Sequence, residues 1–116
     1  MNKTNNGSPV IEWASFELAE NTTEAQLLAT SDDLQRNFLD KQPGFLKREL
    51  LFLSDRKWVD LVHWENGDCS EKAMDSAMQS EACLKYFHLM VPADQQSGAG
   101  VIHLTQKKAY FSGKRL

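Results

Sequence analysis

The strongest constraint on this chain is a Pro-Gly turn that joins a helical segment to a pair of β-rich runs. Gln42-Pro43-Gly44-Phe45-Leu46-Lys47-Arg48-Glu49-Leu50-Leu51 is answered a few residues later by Trp58-Val59-Asp60-Leu61-Val62-His63-Trp64-Glu65. The residue before a proline is pushed out of helical geometry, so Pro43 closes the helix that precedes it. The polar link Ser54-Asp55-Arg56-Lys57 makes Phe45 to Leu53 and Trp58 to Glu65 an antiparallel hairpin.

The flanking segments complete the pattern. Val10 to Leu18 is a first strand: Ile11, Trp13 and Ser15 point one way, Val10, Ala14, Phe16 and Leu18 the other. Glu20-Asn21-Thr22-Thr23 opens a helix, with Thr23 and Gln26 at capping-box spacing. Leu27, Leu34 and Phe38 line its apolar face for about five turns. Asn66-Gly67 stops the third strand, and Asp68 or Ser70 caps a second helix reaching about Met90. Ser80-Glu81 kinks or restarts it, and Pro92 ends it. A loop over 93–100 precedes a last strand, Val101 to Phe111. The order βαββαβ predicts a ferredoxin-like α+β domain over residues 10–111, a four-stranded antiparallel sheet with both helices on one face. Residues 1–9 and 112–116 read as tails. Large apolar groups on the other sheet face predict a homodimer packed sheet to sheet.

Composition narrows the partners. The chain has 116 residues and a net charge of −3. That charge argues against nucleic acid, which needs a basic stripe. No stretch reads as a membrane span or signal peptide, so the expected location is the cytoplasm. Cys69 and Cys83 would lie about 21 Å apart on one continuous helix, too far for a disulfide. Neither they nor the three histidines have metal-site spacing, and Gly98-Ala99-Gly100 lacks the lysine and helix of a phosphate loop. No metal and no cofactor are expected.

Gln42-Pro43-Gly44-Phe45, Arg48-Glu49-Leu50-Leu51, Trp64-Glu65 and Gln79-Ser80-Glu81-Ala82-Cys83-Leu84-Lys85-Tyr86-Phe87 resemble the landmarks of the antibiotic-biosynthesis-monooxygenase-like proteins, in the dimeric α+β barrel group. That resemblance spans roughly residues 9–111. It implies a small-molecule pocket, because the family holds cofactor-independent monooxygenases of polyketide-type aromatics, haem-degrading enzymes and quinol-oxidising proteins. Family members often carry Glu where this chain has Val62, and His where it has Ala77. The haem-degrading branch carries Asn on its first strand and a ligating His at the position of Phe87; this first strand has no Asn, and His88 falls one residue late. A polyketide-oxidising member has Asn and Trp four apart on the third strand, the spacing of Asp60 and Trp64.

Asp60 and Trp64 share one strand face. As a catalytic pair, the carboxylate takes a proton from a phenolic substrate while the indole N–H orients an oxygen. As structure, Asp60 pairs with Arg48 and Trp64 is core. His63 lies on the opposite strand face. Trp13, Met74, Met78, Tyr86 and His88 are the candidate pocket lining. The leading expectation is a pocket protein, as a cofactor-independent monooxygenase of an aromatic or quinol-type compound. The alternatives are a non-enzymatic homodimeric binding or interaction module and, behind it, haem binding or degradation.

Overall fold

The computed structural model describes residues 7–92 and 100–113. In chain order it holds β1 (Val10–Glu17), α1 (Glu24–Asn37), a short 3-10 turn (Leu39–Lys41), β2 (Phe45–Ser54), β3 (Lys57–Trp64), α2 (Gly67–Ala77), α3 (Glu81–Phe87) and β4 (Gly100–Thr105). The strands form one antiparallel sheet in the order β2-β3-β1-β4. This is the ferredoxin-like α+β plan read from the sequence.

Local chemistry explains the boundaries. Thr23 and Gln26 make the reciprocal capping box: Gln26 N–H donates to Thr23 Oγ1 at 3.1 Å, and Thr23 N–H donates to Gln26 Oε1 at 2.8 Å. The long first helix breaks at Phe38, which leaves helical geometry, so its last turn is the separate 3-10 turn. The second helix is capped at Asn66, earlier than Asp68 or Ser70, because the Asn66 side chain accepts from Cys69 N–H at 3.0 Å. It restarts at Ser80, whose hydroxyl accepts from Cys83 N–H at 3.2 Å. Cys69 and Cys83 thus sit on different helices, both as free thiols. The last strand is shorter than expected. Gln106 N–H bonds Pro9 C=O at 2.9 Å, and β1 offers no ladder past that point. The expected 1–9 tail, 93–100 loop and 112–116 tail fall largely on residues 1–6, 93–99 and 114–116, outside the described residues.

Gly44 shows why the Pro-Gly turn is so constraining. Phe45 N–H bonds Gln42 C=O at 3.3 Å, and Gly44 has φ +81°. Pro at the second place and a positive φ at the third define a type II turn. A Cβ on Gly44 would lie 2.3 Å from Cys69 Sγ and 2.7 Å from Cys69 Cβ. Gly44→Ala is therefore expected to destabilise the fold by at least about 2 kcal/mol, from strain and overpacking together; urea unfolding measures it.

Strand alternation sorts the sheet into two faces. Glu12, Ala14, Phe16, Arg48, Asp60, Val62 and Trp64 face the helices and line a cavity there. Around them Leu27, Leu34, Phe38, Leu39, Trp58, Cys83 and Tyr86 form the core. By alternation Ile11, Trp13, Leu51, Val59, Leu61, Ile102 and Leu104 occupy the far face. No helix among the described residues is long and apolar enough to cross a membrane.

Candidate functional site

The cavity between sheet and helices has a volume of about 210 Å³. Its walls are mostly apolar: Ala14, Phe16, Leu34, Phe38, Val62, Met74, Phe87 and Met90 supply much of the surface. Met74 and Phe87 line it and are also exposed to solvent, which places them at its rim. Two polar clusters interrupt the apolar lining.

The first cluster joins Asp60, Arg48 and Tyr86. Arg48 Nε donates to Asp60 Oδ1 at 2.8 Å, and Tyr86 O–H donates to Asp60 Oδ2 at 2.7 Å. The guanidinium also reaches Ser31 Oγ at 2.7 Å, Tyr86 Oη at 3.1 Å, and Ser31 C=O and Gln35 Oε1 at 3.4 Å. The Arg48 and Asp60 side chains are 6% and 10% exposed. Burial alone would lower the Arg48 pKa; Asp60 and Tyr86 reverse this and leave it above the ordinary value. Burial first, and the Asp60 charge second, hold the Tyr86 phenol well above its usual range. Tyr86 is thus a neutral donor, and both Asp60 oxygens are occupied. The cluster ties β2, β3, α1 and α3 together.

The second cluster centres on Glu12. Its Oε1 accepts from Trp64 Nε1–H at 3.1 Å and from Ser70 O–H at 3.4 Å, and lies 3.9 Å from His103 Nε2. Glu12 pairs with Val62 on β3 and with His103 on β4, so strand register brings Glu12, Trp64 and His103 to one face, and α2 adds Ser70. Trp64 is fully buried and packs edge-on against Phe45, ring centroids 5.8 Å apart.

Asp60 and Trp64 both line the cavity, but they belong to different clusters. Met74 and Tyr86 line it as well. Trp13 does not: it stands on the far sheet face, 41% exposed, because Glu12 and Ala14 take the inward positions beside it. Met78 caps the end of α2 at 64% exposure, and His88 is an exposed cap of α3, so neither reaches the lining. His63 faces away from Asp60 and Trp64, as alternation requires. Burial raises the Cys83 thiol pKa, against a smaller opposing effect of Ser80, so Cys83 is a packed thiol. Sequence reasoning missed Glu12. The available signal was a carboxylate at an inward position of a strand whose other inward residues are Val10, Ala14 and Phe16.

No family model matches the chain, and no curated protein does. Solved structures do match. A variant of SnoaB from Streptomyces nogalater, a cofactor-independent oxygenase, superposes with a TM-score of 0.69 at 16% identity, covering 88% of this chain and 96% of that one. A monooxygenase from the gene ActVA-Orf6 of Streptomyces coelicolor, solved with the ligand nanaomycin D, gives 0.63 at 18% identity, covering 90% and 93%. A heme-degrading protein, Rv3592 of Mycobacterium tuberculosis, gives 0.54 at 16% identity, covering 92% and 100%. The chain has the fold of the antibiotic-biosynthesis-monooxygenase-like proteins. Neighbours with that fold include both monooxygenases and a heme-degrading protein.

Proposed function

We propose that this protein binds a small aromatic or quinol-type compound in the cavity and oxidises it with O₂ without a cofactor. The observation that carries this reading is an apolar cavity with a carboxylate and an indole N–H paired in its wall. A cavity of about 150 Å³ already holds benzene, so 210 Å³ suits one or two rings. Loss of a proton from a hydroxyarene makes an electron-rich anion that reacts with O₂ directly. A quinol gives up two electrons and two protons, yielding a quinone and H₂O₂. A ring CH₂ takes one oxygen atom, and the second leaves as water. In both cases the substrate supplies every electron.

The test is O₂ uptake with 1,4-dihydroxynaphthalene as probe. Consumption above the autoxidation blank, one O₂ per quinone formed, supports the reading; none overturns it.

A second reading, a non-enzymatic binding module, is favoured by one observation: both Asp60 oxygens are held by Arg48 and Tyr86. It predicts ligand binding without O₂ uptake. Nothing specific favours haem: no histidine is among the described residues that line the cavity.

The working form we propose is a homodimer closed across the far sheet face. Trp13, Leu51, Ile102 and Leu104 are all exposed there, more apolar surface than soluble monomers commonly present. A second copy supplies a sheet of matching shape. Ile102→Lys is expected to give a monomer by sedimentation, whereas the unaltered chain sediments as a dimer; an unaltered chain that sediments as a monomer contradicts the pairing.

A further inference from the structure

The two cavity carboxylates differ in one respect. Asp60 has hydrogen bonds on both oxygens. Every contact of Glu12 falls on Oε1: Trp64 Nε1, Ser70 Oγ and, at 3.9 Å, His103 Nε2. Oε2 has no partner among the described residues, and it is not among the buried side-chain atoms left unpaired. Oε2 thus keeps some exposure, on a residue that lines the apolar cavity. Hydrogen bonds from β3 and α2 hold Oε1, and the side chain is only 19% exposed.

An ionised carboxylate is an acceptor only, and it seeks a donor when water is scarce. We propose that Glu12 Oε2 is the recognition point for a hydroxyl on the ligand, so that the cavity selects one- or two-ring phenols over their ethers and parent hydrocarbons. This rests on the pocket reading above and names the group that the pocket recognises. The ligand O–H donates to Oε2, its ring lies against Val62 and Phe16, and Met74 and Phe87 cover the open side. Trp64 and Ser70 act as positioning residues: they hold Oε1 so that Oε2 faces the guest. His103, on the edge strand, lies 3.9 Å from Oε1 on the other side. The same oxygen is placed to accept the hydroxyl proton as the ring is oxidised.

The experiment compares 2-naphthol with 2-methoxynaphthalene, which keeps the rings and the oxygen but has no hydrogen to donate. Binding is followed by calorimetry on the full chain, unaltered and as Glu12→Gln. A hydrogen bond to a charged group is worth about 1.5–3 kcal/mol, so the unaltered protein is expected to prefer 2-naphthol by about 10- to 150-fold. In Glu12→Gln the amide oxygen keeps the Trp64 and Ser70 bonds and presents its NH₂ where Oε2 was. A donor now meets the guest, so the preference is expected to vanish or invert towards the ether. Glu12→Leu, with no polar group, serves if the Gln variant fails to fold, and is expected to bind both guests alike. Equal affinities in the unaltered protein, or a naphthol preference that survives both substitutions, overturn the proposal while leaving the pocket intact. Binding of neither guest overturns the pocket reading together with it.

Discussion

Asp60→Ala is expected to destabilise the protein by about 3–5 kcal/mol, the usual cost of leaving a buried charge without its partner. The Arg48 guanidinium bonds Asp60, Ser31, Gln35 and Tyr86, and with Asp60 gone it keeps its charge and loses its counter-ion. Domains of this size are stable by about 5–15 kcal/mol, so about a fifth or more of that margin disappears. The melting temperature should fall by more than about 10 °C. Arg48→Ala should cost a similar amount. The double variant Arg48→Met/Asp60→Leu should recover most of the loss, because replacing both partners with apolar side chains removes the uncompensated charge. Urea unfolding of the unaltered protein, Arg48→Met, Asp60→Leu and the double variant closes the cycle. Additive single losses would show that the pair is not a coupled brace.

The same cluster sets an alkaline limit. The Tyr86 pKa is raised in the folded state. Below its unfolded value of about 10 the phenol is protonated in both states, and its contribution is fully present. Above that pH the unfolded chain loses the proton first, so stability falls as pH rises. Tyr86→Phe should flatten this alkaline decline while lowering stability at neutral pH through the lost Asp60 bond.

The second large effect concerns turnover. With 1,4-dihydroxynaphthalene, Glu12→Gln is expected to lower kcat by about 10²- to 10⁴-fold, the range for removing a positioned base. Trp64→Phe keeps an aromatic ring near Phe45 but removes the N–H that holds Oε1, together with part of the indole's buried volume. Its effect should be smaller, near tenfold if one hydrogen bond of about 1.4 kcal/mol is lost. Comparing kcat with KM separates the roles: a base acts on kcat, whereas a binding contact shared by ground and transition states acts on KM. If Glu12→Gln turns over as fast as the unaltered protein, Glu12 is not the proton acceptor.

The elements were legible because their signals are local. The capping box at Thr23, the turn at Pro43-Gly44 and the alternation in β1 and β3 each need only a few neighbouring residues. Where the reading slipped, a longer-range partner decided the outcome. β4 stops at Thr105 because β1 gives it no further ladder, which the composition of 106–111 does not reveal. The cap moved to Asn66 because a side-chain bond to Cys69 N–H outweighs the pattern that favoured Asp68 or Ser70.

The site was half visible. Asp60, Trp64, Met74 and Tyr86 were named and lie on the cavity wall. Asp60 and Trp64 share a face, but cross-strand register gives them different partners, Arg48 for one and Glu12 for the other. Four-residue spacing on one strand reports a face and says nothing of what β1 and β2 bring to it. Trp13 was an aromatic on the correct strand but an outward position. Glu12 was hidden because a lone glutamate between apolar residues looks like an ordinary solvated position until β4 and α2 close over it.

The most direct test of this account is a crystal structure of the protein with 2-naphthol. The account predicts the ring in the cavity between Val62 and Met74, with its hydroxyl about 2.6–3.2 Å from Glu12 Oε2 and the Arg48–Asp60–Tyr86 cluster unchanged. A naphthol whose hydroxyl bonds Asp60 or Arg48, or one bound outside the cavity, contradicts it.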